Sequence, residues 1–565
     1  MPLHSSPGSS EPDGRDPLRL GAEAGEDRPA QPSPEPVEEE LKISQVKGRA
    51  VRATGALMSR QVVVRGINLV GFTVLAWLLE PAVFGLFAVV KFVVYFLQRF
   101  SDFGLSATLL RKKDAVTEME LRTVFTIQQC IVAVSCAILW FGTDLVVAIY
   151  PKLTTDHVWL IRVLTFSLIL ASLKTMPKVL IQRALRHDKL AVIDVVEVIA
   201  YYGIAVGMAF LGFEVWALIW AVLARGVIGT VWVMAIAWWR PRFGFDRAAA
   251  KEVLSFGVPI QLASLASLAS EAVVPLLVFG LFGGAAVGFV NWARTMMASA
   301  VGQPLILMGK VQMRVFGRIQ DQRAKLTRAV ERNISLGALL VFFTATLLVA
   351  QGEAFVRLVV GEKWLPALPV LYLLAPAFLF RVVGNSYQQA LKALGEGVTM
   401  FVNSLIMFVG QAAGIWLLAG HVTGPFWEGV FASPVGFVSF AIATIVAQLA
   451  VVGHAAHRLR RYIRPRWVPP LVAPLVAAVA SGAAMWVLLD LWMSVWMMGL
   501  AAVAGFAVYV LVLGLLAGER LSKDVSDVLN AFGKKNARIR RLATLSERVL
   551  TGLQIGSRRP AEVGG

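Results

Sequence analysis

The chain is a succession of apolar stretches of membrane-crossing length, and that succession limits what it can fold into more than any other feature. A helix needs about 20 apolar residues to cross about 30 Å of hydrocarbon. Stretches of this kind lie near 58–79, 82–109, 123–149, 158–180, 190–212, 214–238, 253–281, 285–309, 334–358, 367–391, 398–420, 427–455, 469–489 and 492–517. They predict an all-α polytopic membrane protein of about fourteen transmembrane helices. Composition agrees, with 57% hydrophobic and 16% charged residues among 565 and a mean hydropathy of +0.68. Soluble domains carry about 25% charged residues, so a large cytosolic enzyme is excluded. A net charge of +18 on its own would fit a nucleic-acid partner. In so apolar a chain it points instead to basic loops beside a membrane, and no nucleic acid is expected. Cys130 and Cys136 share one apolar stretch and read as small hydrophobes, with neither a disulfide framework nor zinc-ligand spacing.

The loops give the orientation. Every second one is basic, as at Arg111, Lys112 and Lys113, at Arg183, Arg186 and Lys189, and at Arg458, Arg460, Arg461, Arg464 and Arg466. The intervening loops, around Glu80, Glu214, Gly283, His421 and Asp490, are nearly free of Lys and Arg. The positive-inside rule then puts both termini in the cytoplasm. Residues 1–45 read as a disordered acidic tail: the first forty hold ten acids and three bases among Pro, Ser and Gly. Residues 518–565 form a basic tail whose apolar positions, Val525, Val528, Leu529 and Phe532 among them, recur at helical spacing. They predict an amphipathic helix on anionic headgroups, with a coil or a partner-binding helix as alternatives.

Self-similarity divides the remainder. Leu79–Gly85 lines up with Phe282–Gly288, so that Lys91 falls on Arg294 and Asn68 on Glu271. Gln182–Arg186 pairs with Gln388–Lys392 in the same order. Residues 55–240 and 250–456 therefore read as two six-helix lobes in one orientation, with two additional helices over 468–517.

Charged residues inside the spans point to a watery interior. A charge at the centre of a lipid-facing helix costs about 2.5–3.5 kcal/mol on insertion scales. At 1.5 Å per residue, Lys91 and Arg294 each lie about 14 Å deep, near the midplane. Lys91, Tyr95, Gln98, Asp102 and Ser106 share one helical face, as do Arg381, Asn385, Gln388 and Lys392. Arg65 and Asn68, Ser264, Ser267 and Glu271, and Asp194, Glu197 and Tyr201 make similar stripes. These faces predict a central cavity between the lobes. Two plainer readings stay open: Lys91 and Arg294 could pair structurally with Glu271 or Asp102, and Asp194, Glu197, Arg99, Arg381 and Lys174 could snorkel to the surface. His454 and His457 read as solvated loop residues.

The strings Leu78–Ala88, Phe100–Ser106, Gly288–Arg294 and Gly361–Pro369 carry a family likeness. Over residues 55–455 the chain resembles the Wzx-type oligosaccharide flippases, or polysaccharide exporters, of the multidrug/oligosaccharidyl-lipid/polysaccharide superfamily. The resemblance implies two lobes alternating about a central cavity in a bacterial inner membrane. It implies a cargo of oligosaccharide repeat units on undecaprenyl pyrophosphate, moved from the cytoplasmic to the periplasmic leaflet for exopolysaccharide or lipopolysaccharide assembly, with a polysaccharide polymerase and co-polymerase as partners. In the related peptidoglycan-precursor flippases an arginine on the eighth span lines the cavity, and Arg294 holds the matching place. By the same analogy the last two helices guide the polyprenyl tail. The acidic and basic tails fall outside the likeness.

Given that cargo, Lys91 and Arg294 are expected to clamp the pyrophosphate, with Arg65, Asn68, Tyr95, Gln98, Asn291, Arg381 and Asn385 completing the cavity's binding surface. Asp102, Glu271, Asp194 and Glu197 are candidates for proton or sodium coupling, and no other cofactor is expected. A multidrug exporter of the same superfamily is the alternative, disfavoured because cationic drugs call for an acidic cavity. A membrane polymerase or ligase would need a large outer loop rich in Arg, His or Asp, which the sequence lacks.

Overall fold

The computed structural model describes residues 63–102, 105–112, 116–149, 153–184, 186–419 and 436–533. The chain begins with α1 (Val63–Leu78), α2 (Pro81–Asp102) and the short α3 (Leu105–Arg111). Then come α4 (Glu118–Ile149), α5 (Asp156–Arg183), α6 (His187–Phe210), α7 (Glu214–Ile236) and α8 (Arg247–Ala272). The second half holds α9 (Gly284–Met297), α10 (Gln303–Arg318), α11 (Arg323–Phe355), α12 (Leu368–Ala393), α13 (Gly397–Leu418) and α14 (Ser439–Leu459). Two more helices follow, α15 (Pro469–Leu491) and α16 (Val495–Gly533).

Eleven helices among the described residues are long and apolar enough to cross a membrane. The other three expected spans fall on helix of another form. One is α1, whose expected start lies outside the described residues. The other two are interrupted: α8 runs into a π-helical turn at Val273–Val278, and α9 into another at Ala298–Gly302. Each has a proline at the break, Pro275 within the first and Pro304 just past the second. A proline lacks the N–H of the regular ladder and crowds the preceding turn, so the helix widens there.

Side-chain exposure agrees with lipid as the solvent. Phe141, Val398, Trp416, Val479 and Trp496 stand fully out from the helices. Apolar surface this extensive is unfavourable in water and costs nothing against acyl chains. Val495–Ala517 is the membrane-length part of α16, and the helix breaks at Ala517 (φ −138°, ψ 19°) before continuing to Gly533. The acidic tail and residues 534–565 lie outside the described residues.

Packing follows the two halves. In the first, α5 packs on α4 and α7, and α6 on α7; in the second, α14 packs on α12 and α13. Asp246 caps α8, its carboxylate accepting from the Ala248 and Ala249 amides, while its own amide donates to Thr123 at 2.9 Å. The last pair is fastened to α11: Tyr509 donates to the Leu339 carbonyl (2.9 Å) and Gln351 to that of Met498 (3.1 Å). One apolar core runs through the second half and takes in Ala76 and Val89 from the first.

Candidate functional site

The halves meet where α2 and α9 begin. A Cβ on Gly85 would collide with the carbonyl oxygen of Gly284, and one on Gly288 with that of Pro81. In the repeat alignment Gly85 corresponds to Gly288 and Pro81 to Gly284, so the contact is reciprocal, as in a two-fold interface. Only glycine lets the two backbones come this close.

A clasp closes over this junction. After Gly361 (φ 110°), a short 3-10 helix, Glu362–Ala367, carries Trp364 into the core, where it is fully buried. Its indole donates to the Ala76 carbonyl at 2.8 Å, and its ring meets Phe84 and Phe289 edge-on at 5.4 and 6.1 Å. Beside it, Lys363 donates to the Trp77 carbonyl (3.0 Å) and pairs with Glu80 (3.4 Å). The Gly361–Pro369 string thus fastens the second half to the first.

Further along the same two helices stand Lys91 and Arg294, at matching distance from the junction. Lys91, Glu271 and Arg381 are exposed and Arg294 is half-buried. Each cation rests over a phenylalanine: Lys91 over Phe87 (5.7 Å), Arg294 over Phe440 (5.7 Å) and Arg381 over Phe378 (5.4 Å). The rings offer each cation partial compensation for lost water without neutralising it. Arg294 lies in the field of Glu271 and Arg381, whereas Lys91 lies in that of Arg225. Arg294, Arg381 and Glu271 lie on helices after residue 246, and Lys91 and Arg225 on helices before it.

Arg225, on α7, has no counterpart among the sequence candidates. It is an intramembrane cation like Lys91, and that signal alone would have found it. It leads from Lys91 to Glu197, whose buried carboxylate meets Lys174 (3.1 Å), Arg225 (3.3 Å) and Lys178 (3.7 Å). Asp194 pairs with Lys178 at 3.8 Å. Glu197 is therefore embedded in the bundle and does not snorkel.

The remaining candidates divide by their hydrogen bonds. Asn68 donates to the Val64 carbonyl of its own helix (2.6 Å). Asn385 donates to the Leu305 carbonyl (3.4 Å) and accepts from Gln389 (3.5 Å), which ties α12 to α10. Arg65, Gln98 and Asn291 are half-buried and Tyr95 is exposed. The side chains of Asp102, Ser264 and Ser267 lie outside the described residues. The histidine expectation is corrected: His454 and His457 sit in the last turns of α14, and His454 Nδ1 is 2.7 Å from Asn403 Oδ1. The apolar repeat of that helix simply continues into the basic loop.

These features define a multi-pass α-helical membrane protein with cations on several of its membrane helices. Residues 74–369 match the family model described as "Polysaccharide biosynthesis protein", and the chain belongs to that family. It is 25% identical over 420 residues to the lipopolysaccharide biosynthesis protein WzxC of Escherichia coli K12, covering 72% of this chain and 82% of that one. It is 25% identical to the succinoglycan biosynthesis transport protein ExoT of Rhizobium meliloti (69% and 84% covered) and 24% to the teichuronic acid biosynthesis protein TuaB of Bacillus subtilis (61% and 71%). In fold it is similar to the lipid II flippase MurJ in an inward closed conformation, with a TM-score of 0.64 at 11% identity over 83% of this chain and all of that one. A multidrug resistance MATE transporter in its inward-facing conformation gives 0.55 at 15%, over 72% and 98%.

Proposed function

We propose that this chain is a flippase for undecaprenyl-pyrophosphate-linked oligosaccharide repeat units, carrying them from the cytoplasmic to the periplasmic leaflet of a bacterial inner membrane by alternating access. The observation that carries this reading is the set of intramembrane cations, Lys91, Arg294 and Arg381, each resting over an aromatic ring, in a polysaccharide biosynthesis family member. A pyrophosphate dianion cannot enter hydrocarbon unaided, because an ion the size of a carboxylate costs on the order of 20 kcal/mol to move to a dielectric near 4. Guanidinium and ammonium groups that are already partly desolvated replace its water at lower cost.

Lys91 and Arg294 clamp the pyrophosphate from the two halves, and Arg381 adds a third cation. Tyr95, Gln98 and Asn291 hydrogen-bond sugar hydroxyls, with Arg65 at the cavity wall. The polyprenyl tail stays in apolar surroundings. A cavity of about 670 Å³ between α11, α12 and α15, walled by Phe342, Val349, Leu379, Leu475, Val479 and Trp486, supports a route for it. Glu271, in the field that acts on Arg294, is the coupling carboxylate this arrangement favours: protonation or sodium binding there changes how firmly Arg294 is held. Asp102, Asp194 and Glu197 are the other candidates. With both termini cytoplasmic, a polymerase and co-polymerase would take over the delivered units in the periplasm.

The full chain reconstituted in vesicles tests this reading. It translocates an undecaprenyl-pyrophosphate-linked oligosaccharide and does not extrude a lipophilic cationic dye. Dye transport without lipid translocation would overturn the flippase in favour of a multidrug exporter.

A further inference from the structure

A basic cavity lies apart from Lys91, Arg294 and Arg381. It measures about 410 Å³ and sits where α14 ends and the chain turns toward α15. Tyr387, Leu459 and Ala456 form its wall, the first two almost fully buried, and Arg460, Arg464 and Trp467 form its exposed rim.

The neighbouring polar groups are already engaged. Arg458 is held by Glu396 at 2.7 Å, and the Arg466 amide donates to Glu331 at 2.7 Å, which pins the linker. Among the described residues, neither the Arg460 nor the Arg464 guanidinium has a hydrogen-bond or ion-pair partner. The C-terminal end of a helix carries partial negative charge, so α14 itself disfavours an anion here. The nearby Glu331 carboxylate acts in the same sense. Two unengaged guanidinium groups are the counterweight, and their planar donor forks suit phosphate oxygens.

Position narrows the ligand. The cavity lies between the last turn of one membrane helix and the first of the next, the level at which headgroups stand. Tryptophan is enriched at that level, and basic pockets between helices there take anionic headgroups. An apolar wall beneath a cationic rim matches a phosphodiester above its glycerol and first acyl carbons.

We infer that this cavity holds the headgroup of one anionic phospholipid, seated at the joint between the second half and the α15–α16 pair. This resident site is separate from the interior cations and does not depend on what the protein transports.

The test uses the full-length protein in detergent, with dioctanoyl phosphatidylglycerol, dioctanoyl phosphatidylcholine and inorganic pyrophosphate as probes. Thermal stability and retained lipid, by native mass spectrometry, are the readouts. Phosphatidylglycerol should stabilise the wild type and be retained, while phosphatidylcholine should do neither; any response to pyrophosphate, which the interior cations would also take, should be unchanged in Arg460→Gln/Arg464→Gln. Arg460→Gln/Arg464→Gln should bind phosphatidylglycerol at least about tenfold more weakly. Arg318→Gln/Arg323→Gln, which removes the same charge from exposed positions elsewhere, should bind normally. Equal binding by both double variants would overturn the site. So would a response to pyrophosphate that Arg460→Gln/Arg464→Gln abolishes, which would indicate a phosphate site without a lipid. If the Arg460/Arg464 variant fails to fold, the wild type decides: no preference for phosphatidylglycerol over phosphatidylcholine overturns the inference.

Discussion

Gly85 and Gly288 hold equivalent places in the two halves, and each faces a main-chain carbonyl at the start of the other's helix, Gly85 that of Gly284 and Gly288 that of Pro81. The repeat thus meets itself at one self-complementary contact, and the interior cations follow at equal distance beyond it. Protein interiors are close-packed and yield to added volume only at a cost. Gly288→Val should therefore prise α2 from α9 and cut transport at least about tenfold, from about 1–3 kcal/mol of overpacking. Membrane levels by immunoblot and transport in vesicles check this; unchanged transport would show that the junction tolerates separation.

Trp364 closes the same junction from a different segment. Trp364→Ala removes a buried ring and its bond to Ala76, and should lower stability by about 3–5 kcal/mol. Trp364→Phe keeps most of the packing and should cost only about 1–2 kcal/mol, mainly from the unpaired Ala76 carbonyl. Denaturation of the purified variants separates the two.

Glu197 compensates three cations within the first half. Removing one partner of a buried ion pair typically costs about 3–5 kcal/mol, because the remaining charge stays buried. Glu197→Gln should fall at the lower end, since Lys178 and Arg225 are partly solvated. Adding Lys174→Met should restore part of the loss, and the double-mutant comparison of melting temperatures measures it.

Glu396 lies in the turn between α12 and α13, outside the membrane-length segments. Hydrogen bonds from Arg458 first, then Thr399 and Tyr462, hold its carboxyl down to about 2. A depressed carboxyl contributes stability that is present above its unfolded value and lost as pH falls toward the folded one. The wild type should therefore lose its advantage over Glu396→Gln between about pH 5 and pH 2, with a constant difference above pH 6. Melting curves of the two proteins across that range provide the check.

What the sequence disclosed follows the physics of each signal. Hydropathy marks transfer from water to lipid, so the spans were legible, while the close backbone approach at Gly85 and Gly288 was not, because a glycine alone does not tell which chain segment it faces. The π turns at Pro275 and Pro304 were not, because hydropathy carries no information about hydrogen-bond register. Lys91 and Arg294 stood out as intramembrane charges, whereas the ion cluster of Glu197 with Lys174, Lys178 and Arg225 was hidden because its members lie on three different helices. The place of Trp364 was equally hidden, since its partner Ala76 is remote in sequence and contributes only a backbone carbonyl.

In the proposed transport, cations contributed by both halves carry the pyrophosphate. Translocation of an undecaprenyl-pyrophosphate-linked oligosaccharide by vesicles holding Lys91→Gln/Arg294→Gln tests it most directly. Losing two charge-assisted contacts should slow translocation about 100-fold or more, with the protein folded and inserted as in the wild type. Translocation at the wild-type rate would show that these two cations do not carry the pyrophosphate.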